Sequence, residues 1–326
     1  MRTFGRLLAA FALLAVALWW SLALRFRLPL PAPWPTMVAA AYALAALGVL
    51  LRLRPFRRAA LTVLASFAVL ALWWGTIQPS NDRDWAPEYA HTPWGELDGD
   101  RLTLHNVRNV DYRSETDFTP RWETRTWDLS TIVGLDLFLS YWGSPAIAHT
   151  LVSWDFAEGP PLAISIETRR ERPETYSAIR GFFRQYEIVY VAADERDLVR
   201  LRTNYRGEHV YLYRLRAPPE RARALLLDYL ETMNALRVRP AWYNAFTDNC
   251  TTSIRTHTKA VGGFAALDWR LLATGYVDRM LYDRGAVDTR LPFEQLRAAC
   301  QIDARAQAAD QDPAFSVRIR AGVPRP

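Results

Sequence analysis

Residues 146–170 read AIAHTLVSWDFAEGPPLAISIETRR, and this stretch decides the fold. Two apolar-rich runs, 146–156 and 161–170, flank the short turn Ala157-Glu158-Gly159-Pro160, which is the pattern of a strand hairpin. His149 stands inside the first strand, bracketed by Ile147, Leu151 and Val152. An imidazole among such neighbours is costly unless it bonds to something. A hairpin turning near residue 158 sets Glu167 opposite His149, with Ser165 two residues along the same face. Either side chain is placed to fix the imidazole tautomer. Taken alone, His149 equally fits a satisfied core histidine, and Glu167 half of an arginine ion pair.

Outward from the hairpin the pattern stays strand-rich. RLTLHNVRNVDY (101–112), RWETRTWDL (121–129), YEIVYVAAD (186–194) and EHVYLYRLR (208–216) are expected as strands, and 174–184 as a helix. Pro218 and Pro219 open a helix to about 237, with apolar residues at 225, 226, 229, 230, 233 and 236. A sheet followed by helices is an α+β layer fold. The expected organisation is a membrane anchor over 1–81, one globular domain over 82–302, and a polar, Ala-rich tail over 303–326.

The anchor follows from charge. Residues 1–81 hold eight arginines and no Asp or Glu; the first carboxylate is Asp82. The remaining 245 residues carry 32 basic and 34 acidic side chains, so the globular part has no net positive charge with which to grip nucleic acid. Residues 7–24, 35–51 and 59–77 are apolar stretches, the first just long enough to cross a hydrocarbon core of about 30 Å. Trp19, Trp20, Trp73 and Trp74 lie near stretch ends, where indole rings favour the headgroup layer. The first stretch runs into RFRLPLP instead of a small-residue cleavage site, so it reads as a span and not a signal peptide. Arg2, Arg6, Arg52, Arg54, Arg57 and Arg58 fall on one side and only Arg25 and Arg27 on the other. That split predicts a cytoplasmic N-terminus in a bacterial inner membrane, three spans, and a periplasmic domain.

The second chemical feature is YNAFTDNCTTSIR, residues 243–255. Thr247-Asp248-Asn249 is N-cap material, which puts Cys250 in the first turn of a helix. There the helix dipole and free N–H groups stabilise a thiolate and offer donors to an oxyanion. With His149 as base and Glu167 or Ser165 as orienter, the set is a Cys-His-polar triad. Two other readings of Cys250 stand beside it: a disulfide to Cys300, the second of two cysteines in an oxidising compartment, or an inert buried thiol. His91, His105, His209 and His257 show no metal-ligand spacing and read as surface or strand residues; no metal or cofactor is expected.

The strings NVRNVDYRSETDF (106–118), AHTLVSWDF (148–156), SIETRRE (165–171), GFFRQYEIVYVAADERD (181–197), RTNYRGEHVYLYRLR (202–216) and WYNAFTDNCTTSIR (242–255) together resemble the Lnb N-terminal periplasmic domain family. The resemblance covers roughly residues 95–260. It implies a lipoprotein N-acyltransferase-like activity, with Cys250 as nucleophile, His149 as base and Glu167 as third member. The order of His on a hairpin and Cys on a later helix is similar to circularly permuted papain-type folds, the permuted NlpC/P60 enzymes and lecithin:retinol acyltransferases. That implies a papain-like antiparallel sheet-plus-helix domain. In Lnb proteins membrane helices follow this domain, whereas here they precede it. The expected function is a membrane-anchored thiol enzyme passing an acyl group from a membrane phospholipid or lipoprotein to an amine through a thioester. A cysteine amidase or peptidase on cell-wall peptide or protein is the alternative, and a non-catalytic binding module with a Cys250–Cys300 disulfide is a third.

Overall fold

A computed structural model describes residues 2–263 and 268–326. The chain divides into two compact units. One comprises Met1–Ser80 and Tyr176–Tyr186; the other comprises Asn81–Thr175 and Glu187–Pro326.

The first unit is built on α1 (Arg2–Arg27), α2 (Trp34–Arg52) and α3 (Phe56–Thr76). All three are long and apolar enough to cross a membrane. Phe11, Leu44 and Leu72 are among many large apolar side chains left exposed on them. A bundle folded in water would bury these, so the chain is membrane-anchored. Residues 176–186 pack with these helices through Phe183, which lies buried among Trp20 and Ala23. The helix expected over 174–184 does not form. That stretch holds turns and a single 3-10 turn, Arg180–Phe182, because Phe183 is taken up by the bundle instead of by a helix face of the segment's own.

The second unit is α+β. Its strands are β1 (Trp94–Asp98), β2 (Arg101–Arg108), β3 (Asp111–Tyr112), β4 (Phe118–Thr119), β5 (Trp122–Asp128), β6 (Ile132–Tyr141), β7 (Ala148–Phe156), β8 (Leu162–Arg169), β9 (Glu187–Ala193) and β10 (His209–Arg214). The main sheet runs β1-β2-β9-β8-β7-β6-β10, with β5 also paired to β2. The sheet is mixed and not wholly antiparallel as expected, because β2 meets β9 in parallel at Arg108 and Ala193. The helices are α4 (Glu195–Arg200), α5 (Pro219–Val238), α6 (Cys250–Ala260), α7 (Val277–Asp283), α8 (Phe293–Cys300), α9 (Asp303–Ala308) and α10 (Phe315–Ile319).

The core forms where α5 covers the sheet. Ala222, Leu226, Tyr229 and Met233 are buried along one stripe of that helix, at the i, i+4, i+7 spacing of one face. Trp154 on β7 is fully buried, donates its indole N–H to Ala222 O at 2.8 Å and meets Tyr229 edge-on at 5.2 Å. Each such aliphatic or aromatic side chain contributes about 1.5–3 kcal/mol on burial.

Residues 303–326 are not a solvated tail. Ala306, Phe315 and Ile319 are buried in the core, and Arg320 bonds both Asp136 on β6 (2.8 Å) and Glu195 on α4. Asp136 and Glu195 are fully buried. Breaking such a pair costs about 3–5 kcal/mol, since a charge is left alone in the interior. The polar composition hid two short helices, α9 and α10, whose Ala306, Phe315 and Ile319 face inward.

Candidate active site

Cys250 is the first residue of α6, and its neighbours explain why the helix starts there. Asn249 caps it: the side-chain oxygen accepts from the N–H groups of Thr251 (3.0 Å) and Thr252 (2.9 Å). Thr252 Oγ1 in turn accepts from the Asn249 N–H at 2.9 Å. This reciprocal box leaves the Cys250 N–H outside it. The thiol is buried, with Thr251 Oγ1 at 3.8 Å from the sulfur. Thr251 Oγ1 also lies 3.1 Å from Thr150 Oγ1 on β7, which fastens the helix start to the strand carrying His149.

The hairpin register is the expected one. Leu151 pairs with Ser165 and Val152 with Ile164, so two residues further along Glu167 stands opposite His149. His149 Nε2 is 2.7 Å from Ser165 Oγ and 3.2 Å from Glu167 Oε1. Ser165 donates its only proton to Glu167 Oε1 at 2.6 Å, so its oxygen accepts from Nε2–H. That fixes the tautomer, with a proton on Nε2. Ser165 and Glu167, alternatives in sequence, are therefore two links of one chain.

Sequence reasoning missed Arg202. Its guanidinium is buried and donates to Glu167 Oε1 at 2.8 Å, so the carboxylate is held from two sides. Burial works against the Glu167 charge, yet His149 and Arg202 keep its pKa well below the usual carboxylate range. Burial also opposes charge on His149, but the Glu167 and Cys250 anions outweigh it and push the imidazole up to about 9. At Cys250 burial pushes the thiol up. The His149 charge, a hydrogen bond from that ring, and bonds from the Thr150 backbone and Thr251 side chain more than reverse this, so the thiol ionises below its ordinary value. The two shifts run in the same sense: each group favours the charged form of the other.

His257 is a correction to the surface-or-strand reading. It lies buried in the third turn of α6, its Nδ1 2.5 Å from Asp228 Oδ2 on α5 and its Nε2 2.6 Å from the Tyr190 hydroxyl on β9. Burial lowers its pKa despite Asp228, so the neutral ring donates to Asp228 and accepts from Tyr190. It pins α6 to α5 and the sheet, two turns from Cys250. Its spacing of seven from Cys250, one helix face, was the available signal. Of the other histidines, His91 and His209 are exposed and His105 stacks on Trp94 at 4.0 Å.

Cys250 and Cys300 are both free, so the disulfide expectation fails. Among the described residues no group of His, Cys, Asp or Glu is arranged to hold a metal ion.

These features define a membrane-anchored α+β protein with a buried thiol at a helix start and an imidazole backed by a carboxylate. Residues 118–275 match the family model of the Lnb N-terminal periplasmic domain, the family that the motifs resemble, and the matched stretch contains Cys250, His149, Ser165, Glu167, Arg202 and His257. The protein is thus membrane-anchored, and its residues 118–275 are similar to that periplasmic domain. Neither the curated proteins nor the solved structures contain a match to the chain.

Proposed function

We propose that the protein is a thiol acyltransferase of the bacterial inner membrane, with its N-terminus in the cytoplasm and Cys250 as nucleophile. The observation that carries this reading is geometric: Cys250 opens a capped helix, and His149 is backed by the Ser165–Glu167–Arg202 chain. The thiolate attacks the ester carbonyl of a phospholipid or lipoprotein acyl chain. The carbonyl oxygen becomes an oxyanion that the Cys250 N–H is placed to meet. On collapse the C–O bond breaks, His149 gives its proton to the departing alkoxide, and a thioester remains. An amine then attacks the thioester carbonyl, His149 takes the amine proton, the C–S bond breaks and an amide leaves. Glu167, held by Ser165 and Arg202, keeps the ring oriented and its positive charge compensated. A membrane anchor suits a lipid donor by raising its effective concentration. The order of catalytic residues supports a permuted papain-type ancestry.

Mass spectrometry of the protein from native membranes tests this. A hydroxylamine-labile acyl chain is expected on the peptide containing Cys250. An unacylated Cys250 together with cleavage of added cell-wall peptide would transfer the site to the amidase reading. Orientation has its own check: alkaline phosphatase fused after Ser80 is expected to be active, and a fluorescent green fluorescent protein fusion there would reverse the topology.

A further inference from the structure

Between β8 and β9 the chain runs through YSAIRGFFRQY, residues 176–186, and this segment belongs with the membrane helices. Phe183 is its anchor. The ring lies 5.6 Å from Trp19 and 5.3 Å from Phe26. Those two residues are seven apart on α1, two turns along one helix face. Phe183 therefore sits alongside the last two turns of α1 and overlaps the end of its apolar stretch. Trp19, Trp20 and Trp74 cluster at the same level, with ring separations of 4.7–6.1 Å. Such indoles mark the boundary between headgroups and acyl chains.

Arg184 locks the segment there. Its guanidinium donates to Trp74 O at 2.6 Å and Ile77 O at 3.3 Å, neutralising the carbonyl end of α3, and covers the Trp74 ring at 4.8 Å. Its φ of 52° is left-handed, a conformation that a non-glycine residue keeps only where surrounding contacts over-determine it.

The segment also turns large apolar side chains outward. Tyr176, Ile179 and Phe182, spaced three apart, are 49%, 59% and 42% exposed. The segment has no carboxylate, and Arg180 and Arg184 are its only charges, so nothing in it repels acidic headgroups. We infer that residues 176–186 are a membrane-inserted loop whose Tyr176, Ile179 and Phe182 side chains lie among the lipid acyl chains at the headgroup boundary. The anchor therefore has a fourth, non-spanning element, whose bound partner is the bilayer itself. This does not depend on the thiol chemistry.

The test places an environment-sensitive dye at Ile179→Cys, and separately at Phe182→Cys, in the full-length Cys250→Ser protein. The protein is reconstituted into phosphatidylcholine–phosphatidylglycerol vesicles. Both positions are exposed, so folding is not at stake. Leu72→Cys on α3 supplies the lipid reference and exposed Ser130→Cys the aqueous one. The expected result is loss of dye emission to brominated lipid matching that at residue 72, with little loss to aqueous iodide. Iodide quenching equal to that at residue 130 would overturn the inference. Protection from both quenchers would overturn it too, because protein, in the form of a second copy or another chain, would then cover the loop.

Discussion

The two cysteines sit at opposite ends of their helices, and their chemistry follows. Cys250 is the first residue of α6 and Cys300 the last of α8. Both are buried and free. The positive end of one helix dipole favours an anion at Cys250, and the negative end of the other disfavours one at Cys300. The neighbours add to the difference. Cys250 has His149 beside it. Cys300 is pushed up to about 12 by burial and by the Asp278 and Asp288 carboxylates, with only Arg305 opposing. A buried thiol is thus neither reactive nor inert as such; helix polarity and one cationic neighbour decide.

The largest expected effect separates the two thiols directly. A thiol with a pKa of about 12 is thiolate to only about one part in 10^5 at pH 7. Iodoacetamide is therefore expected to modify Cys250 and spare Cys300 in the native protein, and Cys250→Ser to abolish both labelling and acyl transfer. Equal labelling of the two would break the comparison.

A smaller effect is expected at the neighbour. His149→Ala is expected to move the Cys250 alkylation inflection upward by at least about one pH unit, roughly tenfold in rate on the acid limb. An unchanged profile would mean that the imidazole does not charge the pair. In the unaltered protein His149 keeps its proton to about 9, above the ordinary 6.5. Its attraction to Glu167 therefore stabilises the fold fully below about 6.5, and this is lost as pH rises through about 9. Glu167→Gln is expected to bring that upper limit down, readable in urea midpoints between pH 7 and 10; an identical pH dependence in the variant would remove Glu167 from its role.

The smallest effect belongs to the inert thiol. Cys300→Ala is expected to leave the Cys250 profile untouched while costing about 1 kcal/mol in urea unfolding. A fall in Cys250 reactivity would show that the two helix ends are coupled, contrary to their independent environments.

How far the sequence revealed all this depends on the range of the interactions. Asn249, Thr252 and Cys250 form a local motif, and the β7–β8 register follows from a short turn, so cap and His149–Glu167 pairing were legible. Arg202 reaches Glu167 from 35 residues away, and no local pattern announces that. Strand β6, IVGLDLFLSY, was missed because it lies between β7 and β10 and is largely buried. Central strands lose the alternation that marks half-buried ones, and Asp136 in its middle disguised it further. That aspartate is explained by Arg214 beside it on β10, at 2.7 Å, and by Arg320, 184 positions later. Residues 176–186 carry helix-forming composition, but the apolar partners of Phe183 lie in the first helix, beyond any window.

The position of Arg320 has a consequence for how the protein is made. Glu195 and Asp136 are enclosed by the sheet and α4, yet the guanidinium that bridges them lies 184 positions after Asp136 and 125 after Glu195. Until residue 320 has been synthesised, the nascent domain holds carboxylates that it has no means to neutralise fully, so its central strands cannot close over them without penalty. Folding of this unit therefore waits for that residue, and until then the chain depends on whatever shields unfinished sheets from aggregation.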